Sequence, residues 1–201
     1  MNRRARLNVD ALNDFINGTL PVPRGLEVVE SINAETEKTN SYVVNVFIAD
    51  CHDPDNKEHF ATWPKHCIRG THGQKFHPNL IIPNGSFVVF KGTGKKNNGY
   101  SGFDKEDVEI YIKMYSKLIR LAFSTLDELL KFLEVETIEV RGLAINFCDK
   151  ATAIDGAKLG YETVLYLDSC RGIIFPDEDP RSEKNAIKEM LDAGVWIYTA
   201  K

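Results

Sequence analysis

The apolar and polar positions of the chain alternate between strand-like and helix-like stretches. Short runs of apolar, often β-branched residues predict strands, and apolar residues spaced three or four apart predict helices. The predicted strands are residues 5–12, 42–49, 86–91, 137–143, 162–168 and 195–199. The predicted helices are residues 26–32, one or two helices within 107–133, a helix that starts near residue 148 and ends at Gly160, and residues 180–193.

This alternation predicts an α/β fold, with a doubly wound, mostly parallel sheet of about six strands and helices on both faces. A length of 201 residues fits a single domain that spans residues 1–201. Ligand sites in such sheets lie at the carboxyl ends of the strands. The side chains at those ends are therefore the first candidates for a functional site.

Reactive side chains stand at the ends of the first four predicted strands. Asp10 lies at the end of the first strand, Asp50 follows the second, Lys91 ends the third and Cys148 follows the fourth. Taken singly, each is explained as a turn aspartate, a surface lysine or a core thiol. Four such groups at successive strand ends predict one shared crevice.

Cys148 lies where the fourth predicted strand turns into a helix. The positive end of the helix dipole favours a thiolate, and free N–H groups at the same point can hold an oxyanion. This placement indicates a nucleophilic cysteine. The alternative is an inert core thiol, because free cysteines are often buried.

The stretch of residues 50–85 is irregular and longer than an ordinary connection, which is typical of a functional loop. It opens with Asp50 and His52, which are two apart and can point to one side of an extended segment. His59 and His66 follow, so that three of the five histidines of the chain lie within 15 residues. One carboxylate and up to three imidazoles suit Zn²⁺, Fe²⁺ or Mn²⁺. The alternative is a loop of exposed histidines.

Composition narrows the function classes. The chain is 43% hydrophobic and 27% charged with a net charge of -4, so neither a nucleic-acid partner nor an anionic membrane partner is expected. No apolar run approaches the ~20 residues of a membrane helix, and the basic N-terminus leads into no signal-type apolar core. Four sparse cysteines fit a reducing compartment, so we expect a cytoplasmic protein. A homo-oligomer is left open.

Several short motifs together resemble a known enzyme family. They are Asp10-x-x-Asn13-Asp14-Phe15, Asp50-x-His52, Trp63-Pro64-x-His66-Cys67-x-x-Gly70-Thr71-x-Gly73, Phe90-Lys91-Gly92, Tyr100-Ser101-Gly102-Phe103 and Gly142-Leu143-Ala144-x-x-x-Cys148. Their order resembles that of the nicotinamidase/pyrazinamidase branch of the isochorismatase-like cysteine hydrolases. The resemblance covers nearly the whole chain, and the segment around Trp63 is specific to this branch.

The resemblance implies a triad in which Asp10 accepts the thiol proton, Lys91 stabilises the thiolate and Cys148 attacks a carboxamide carbon. It implies an oxyanion hole made by the backbone N–H groups of Ala144 and Cys148, with a cis peptide bond at Leu143-Ala144. The implied substrate is nicotinamide, which would be hydrolysed to nicotinate and ammonia. Pyrazinamide would also be accepted.

The resemblance further implies one divalent metal ion that holds the pyridine nitrogen and orients the ring. Zinc is the first expectation, with iron and manganese as alternatives. The implied ligands are Asp50, His52, His66 and His59, and His59 corresponds either to a family His or to a family Glu. The implied aromatic walls of the ring site are Phe15, Trp63 and Tyr100.

Two other function classes compete with this interpretation. One is a related cysteine hydrolase for a non-aromatic amide, for which a metal that holds a ring nitrogen would have no purpose. The other is a non-catalytic ligand-binding member of the fold, because fold does not imply function. The chain also departs from the resemblance at Leu12, where the family usually has Gln.

Overall fold

The computed structural model describes residues 3–38, 43–96 and 98–199. Within these ranges the chain forms one sheet of eight strands in the order β5-β4-β3-β2-β1-β6-β7-β8. The strands are β1 Arg3–Val9, β2 Val43–Asp50, β3 Phe87–Lys91, β4 Glu109–Met114, β5 Lys117–Arg120, β6 Val135–Leu143, β7 Glu162–Arg171 and β8 Trp196–Tyr198. The neighbouring strands β3, β2, β1, β6, β7 and β8 are all parallel to one another. At one edge of the sheet β4 pairs antiparallel with β3, and β5 pairs antiparallel with β4.

Helices cover both faces of the sheet, as the doubly wound prediction requires. They are α1 Asn13–Ile16, α2 Gly25–Thr36, α3 Lys57–Thr62, α4 Leu126–Phe132, α5 Lys150–Lys158 and α6 Glu183–Asp192, with a π-helical turn at Ile145–Asp149 before α5. Two core clusters result. One holds Val46 and Ile48 of β2 with residues of α4, α5 and α6, and the other holds Phe47 and Ala49 with residues of α1 and α2. Successive residues of β2 thus face opposite sides, as a strand demands.

The predicted fold class is confirmed, but the strand count of about six is too low. The prediction of helix throughout residues 107–133 is wrong in its first part, where the chain forms the β4–β5 hairpin. Only its end is helical, and Thr125 caps α4 by accepting a hydrogen bond from the Glu128 N–H. The first strand also ends at Val9 rather than residue 12. Residue 42, the predicted start of the second strand, lies outside the described residues.

The long segment predicted to be irregular contains one short helix that matters for the site. Asn56 caps α3 by accepting a hydrogen bond from the backbone N–H of His59 at 3.1 Å. This places the His59 side chain in the interior, with 2% of it exposed. No helix in the described ranges has both the length and the apolar character needed to cross a membrane.

Candidate active site and metal centre

The four predicted strand-end residues meet at one point because β3, β2, β1 and β6 are neighbours in the sheet. The Lys91 ammonium lies 2.9 Å from Asp10 Oδ2 and 3.4 Å from Cys148 Sγ, and it contacts Asp50 Oδ1. It also donates to the Gly99 carbonyl at 2.8 Å. We call Asp10, Asp50, Lys91 and Cys148 the site cluster.

Burial and the neighbouring charges together set the protonation states of the site cluster. It raises the pKa of Asp10 to about 6, helped by the Asp50 charge and opposed by Lys91. Burial also raises the pKa of Asp50, but Lys91 and then His52 outweigh it, so this pKa is lowered. The two carboxylates outweigh desolvation at Lys91 and hold its pKa well above the usual value. A carboxylate and an ammonium therefore coexist in the interior.

The same environment disfavours a resting thiolate at Cys148. Burial raises the pKa of the Cys148 thiol well above its ordinary value, and the nearby Lys91 charge only partly offsets this. Cys148 lies in the π-helical turn that runs directly into α5, at the start of the helical segment, so burial opposes the helix dipole here. The resting group is a thiol that donates a hydrogen bond to Asp10.

Asp10 owes its position to an uncommon backbone conformation. Its φ is 51°, in the left-handed region, which aspartate tolerates better than most residues. Its N–H donates to the Ile48 carbonyl at 3.0 Å, and its Oδ1 accepts the Asp50 N–H at 2.8 Å. Asp10 Oδ2 is thereby left to face Lys91. The carboxylate is thus held between the ends of β1 and β2.

The turn that carries Cys148 has the predicted cis peptide bond at Leu143-Ala144. The Ala144 carbonyl accepts hydrogen bonds from the N–H groups of Phe147 at 2.9 Å and Asp149 at 3.2 Å. Gly142 precedes the turn because any Cβ there would overlap the backbone of Val9. This packing brings the end of β6 against β1 and so places the thiol beside Asp10.

The predicted histidine loop forms a second buried cluster next to the first. His52, His59 and His66 are 0%, 2% and 3% exposed, and one ring nitrogen of each lies within 4.8 Å of the others. We call these three residues the histidine cluster. The Nε2 atoms of His59 and His66 are 3.5 Å apart, and His52 Nε2 is 3.4 Å from Asp50 Oδ2. Asp50 therefore joins the two clusters, because its Oδ1 contacts Lys91 and its Oδ2 faces His52.

His59 and His66 of the histidine cluster favour the neutral imidazole, which is the form that binds a cation. Burial lowers the pKa of His59 to about 4, with His52 and His66 as the next causes, and burial lowers the pKa of His66. His66 Nδ1 lies 2.7 Å from the Pro64 carbonyl, so this nitrogen donates and Nε2 keeps its lone pair. His66 therefore turns an Nε2 lone pair toward His59 Nε2, which is the arrangement a metal ligand needs.

Unpartnered atoms show that these residues fit a metal ion. Nδ1 of His52 and Nδ1 of His59 are buried without a hydrogen-bond partner in the described structure, and His52 Nε2 has only the longer contact to Asp50 Oδ2 at 3.4 Å. Buried ring nitrogens that lack good hydrogen bonds are costly unless a cation or water meets them. Asp10, Asp50 and Cys148 form another possible donor group, but the Lys91 ammonium already contacts all three of them. The histidine cluster with Asp50 is accordingly the metal centre that the donors fit.

Two glycines allow the imidazole of His52 to sit this deep. Gly92 follows β3 with φ at +66°, and a Cβ added there would lie 2.9 Å from the His52 ring. Gly99 crosses directly beside it, so a Cβ on Gly99 would overlap the Gly92 backbone. The loop after β3 therefore closes over His52, and it also brings the Gly99 carbonyl to Lys91.

A pocket opens onto both clusters. The predicted wall residues Phe15, Trp63 and Tyr100 all line it, together with Asp50, His59, His66, Ala144 and Cys148. Sequence reasoning missed three further walls, which are Leu20, Phe147 and Ile173. Phe147 stands next to Cys148 in sequence, and that adjacency could have indicated it. Leu20 and Ile173 carry no such signal.

The aromatic walls are held to one another. Trp63 Nε1 donates to the Tyr100 hydroxyl at 2.8 Å. The Trp63 and Phe147 rings pack edge to face with centroids 4.9 Å apart. Phe15 packs against His66 at 5.4 Å. The pocket can therefore enclose a flat ring whose one substituent reaches the thiol and whose edge faces the histidine cluster.

Comparison with known proteins places this chain among amide hydrolases of one fold. It is 29% identical to a nicotinamidase of Escherichia coli over 99% of this chain and 96% of that protein. It is 29% identical to a nicotinamidase/pyrazinamidase of Mycobacterium tuberculosis over 96% of this chain and 97% of that protein.

Solved structures give the same result. The structure of an Acinetobacter baumanii nicotinamidase pyrazinamidase matches with a TM-score of 0.81 and 29% identity, covering 99% of this chain and 97% of that one. A pyrazinamidase of Pyrococcus horikoshii in complex with zinc matches with a TM-score of 0.78 and 27% identity, covering 98% and 99%. The model of the isochorismatase domain matches residues 4–201, and the chain therefore belongs to the isochorismatase-domain family.

Proposed function

We propose that this protein is a metal-containing cysteine amidohydrolase that converts nicotinamide to nicotinate and ammonia. The observation that carries the proposal is the placement of Cys148 Sγ, 3.4 Å from the Lys91 ammonium, in the same pocket as the histidine cluster. The names of the similar proteins, several of them nicotinamidases, support the choice of substrate. Pyrazinamide, with the same carboxamide on a similar ring, is the second expected substrate.

In the proposed mechanism the Cys148 thiol gives its proton to Asp10 as the sulfur attacks the carboxamide carbon. Lys91 stabilises the negative charge on sulfur and remains an ammonium throughout. Asp10 then returns the proton to the amide nitrogen, so that the carbon–nitrogen bond breaks and ammonia leaves. A water molecule, deprotonated by Asp10, hydrolyses the Cys148 thioester and releases nicotinate.

The oxyanion that forms on the amide oxygen needs donors on the side of the turn. We assign the backbone N–H groups of Ala144 and Cys148 to this role. The support is the fixed conformation of that turn, with the Ala144 carbonyl bound by two later N–H groups. A preorganised pair of donors requires no rearrangement at the moment of reaction.

Asp50, His52, His59 and His66 would hold the metal ion, with zinc as the first choice and iron or manganese as alternatives. When bound, it supplies a Lewis-acid centre for the pyridine nitrogen and thereby orients the ring. Phe15, Trp63 and Tyr100 would enclose the ring faces. A hydrolase for a non-aromatic amide is the alternative, and both the aromatic walls and the orphaned imidazole nitrogens speak against it.

The direct test is ammonia release from nicotinamide by the purified, metal-analysed protein. Cys148→Ala should lose at least about 10³-fold in kcat, because the nucleophile is gone while the pocket stays. Cys170→Ala is the matched control, since Cys170 is also a buried free thiol but does not line the pocket. Near-normal turnover by Cys148→Ala would refute the mechanism.

A further inference from the structure

We propose that Asn146 is a positioning residue that fixes residues 172–181 over the pocket, and that this segment restricts the substrate to carboxamides of a single six-membered ring. We call residues 172–181 the strap. The inference deepens the proposed function and rests on it. It concerns which amides enter the pocket rather than how the amide bond is broken.

Asn146 lies two residues before Cys148, is 1% exposed and has all its polar atoms engaged by the strap. Its Nδ2 donates to the carbonyls of Ile173 at 2.9 Å and Arg181 at 2.7 Å. Its Oδ1 accepts the Ile173 N–H at 3.1 Å. The side-chain amide thus pairs with both backbone groups of Ile173, as a neighbouring strand would.

This pairing replaces a strand that has ended. The last paired residues of β6 and β7 are Leu143 and Arg171, after which β6 turns away at its cis peptide bond. Within the described structure, the two bonds to Asn146 are the hydrogen bonds that the backbone of residues 172–175 makes. The backbone of the near end is therefore hydrogen-bonded by one side chain.

The far end of the strap is held independently by α6. Asn185 Nδ2 donates to the Asp179 carbonyl at 2.8 Å, and Ser182 caps the helix. Arg181 forms a two-bond ion pair with Asp179 and places its guanidinium 4.2 Å from the Phe175 ring. Loss of the Asn146 bonds would therefore release the near end while the far end stays attached.

The near end is the part that closes the pocket. Ile173 lines the pocket together with Cys148, and the Phe175 ring lies 6.1 Å from that of Phe147, another wall. Gly172 permits the close approach, because a Cβ there would lie 3.0 Å from Asn146 Oδ1. A strap held this close makes Ile173 a wall of the pocket that holds Cys148, so displacement of the strap would widen this pocket.

The experiment compares nicotinamide with quinoline-3-carboxamide, which carries the same carboxamide and ring nitrogen plus a fused second ring. We expect Asn146→Ala to raise the ratio of kcat/KM for the quinoline amide to that for nicotinamide by about tenfold or more. KM for nicotinamide should rise more than its kcat falls, because the nucleophile is untouched. A general loss of stability would not raise kcat/KM for the larger substrate.

Two further variants make the result decisive. Asn146→Asp keeps the shape and the acceptor but turns an oxygen toward two carbonyls, and it serves if Asn146→Ala does not fold. Asn33→Ala is the matched control, because Asn33 also pairs with both a donor and an acceptor of a loop, at Ile81 N and Asn79 O, away from the pocket lining.

The outcomes separate the two proposals. A higher ratio in a folded Asn146 variant, with no change in Asn33→Ala, supports the inference. An unchanged ratio in a folded Asn146 variant that still hydrolyses nicotinamide overturns this inference alone. A wild-type protein that hydrolyses neither amide overturns the proposed function, and the inference with it.

Discussion

Two groups of buried charges lie on neighbouring strands of the same sheet, and only one of them belongs to the candidate site. The site cluster lies at the carboxyl ends of four strands. The second group, Arg6, Glu139 and Arg141, lies between the sheet and α2, with Glu139 bridging to Arg6 at 3.5 Å and to Arg141 at 3.1 Å. Arg141 is fully buried and stacks on Tyr166 at 4.3 Å. We call this group the sheet-face cluster.

Both groups hold buried charges of opposite sign in contact. The site cluster has two carboxylates around one ammonium, whereas in the sheet-face cluster Glu139 lies between two guanidinium groups, and Arg6 also reaches Glu35 at 3.9 Å. The difference lies in what adjoins the charge. The site cluster includes a thiol and borders a pocket, while the sheet-face cluster contains no nucleophile and packs against a helix and a tyrosine. Buried charge is therefore a sign of function only where a reactive group and a cavity accompany it.

The largest expected effect comes from removal of the positive charge of the site cluster. Lys91→Met should lower kcat for nicotinamide by about 10²–10⁴-fold, because the thiolate formed during attack loses its only adjacent cation within the cluster. Binding of the ring should change less, since the aromatic walls and the histidine cluster are intact. Pre-steady-state measurement of acyl-enzyme formation would locate the loss in the chemical step.

Arg141→Met is the matched substitution in the sheet-face cluster. It removes a buried cation and its stacking on Tyr166, while Glu139 keeps Arg6 as a partner. We expect a loss of about 1–3 kcal/mol in the free energy of unfolding and a kcat/KM within about twofold of wild type. Urea denaturation and steady-state kinetics on the same preparation measure both. A strong kinetic defect in stably folded Arg141→Met would erase the distinction between the clusters.

The next effect concerns the histidine cluster. His52→Ala and His66→Ala should each lower the bound metal well below one ion per chain and reduce kcat/KM by about 10–100-fold or more. His59→Ala tests whether the third imidazole is a ligand at all. His72→Ala is the control, because His72 is exposed and lies outside the cluster. Full metal content in His52→Ala and His66→Ala would refute the assignment.

The positions of the site residues were predictable because strand ends carry a strong sequence signal. A parallel sheet brings the ends of neighbouring strands together, so Asp10, Asp50, Lys91 and Cys148 needed only the correct strands to be placed near one another. The histidine cluster followed from its spacing in one loop. The protonation of the thiol did not follow, because desolvation depends on packing that the local sequence does not contain.

The hairpin and the strap show where local sequence was insufficient or was misjudged. Residues 109–114 alternate Glu, Ile, Tyr, Ile, Lys, Met, which is a strand pattern, but the length of the apolar region favoured helices. Ile173 lines the pocket and is hydrogen-bonded by Asn146 from another segment of the chain. Hydrophobic periodicity cannot predict such a contact, because it joins segments that are 27 residues apart in the sequence.

The smallest expected effect is on stability and concerns Asp149. The carboxyl group of Asp149 is fully buried and faces Cys170, and Asp10 and Lys91 are nearby. Burial raises the pKa of Asp149 well above its usual value. As pH rises above about 4, the unfolded chain loses this proton while the folded chain keeps it, so stability falls with pH. Asp149→Asn should therefore be more stable than wild type at pH 8, by about 1–3 kcal/mol.

The advantage of Asp149→Asn should shrink at pH 5, which urea denaturation at the two pH values would measure. Asp155→Asn, in the helix α5 that directly follows the turn of Asp149, is the control, because Asp155 is partly exposed and contacts Lys158 at the surface. An equal advantage at both pH values would show that the carboxyl group of Asp149 does not titrate as its burial demands.

The most direct measurement of the central claim compares kcat/KM for nicotinamide, pyrazinamide and benzamide with the metal-loaded wild-type protein. All three carry the carboxamide that Cys148 would attack, but benzamide lacks the ring nitrogen that would meet the metal centre. We predict efficient hydrolysis of nicotinamide and pyrazinamide and a kcat/KM for benzamide lower by about 10²-fold or more. Equal values for benzamide and nicotinamide would contradict the account, because the metal centre would then have no part in recognising the ring.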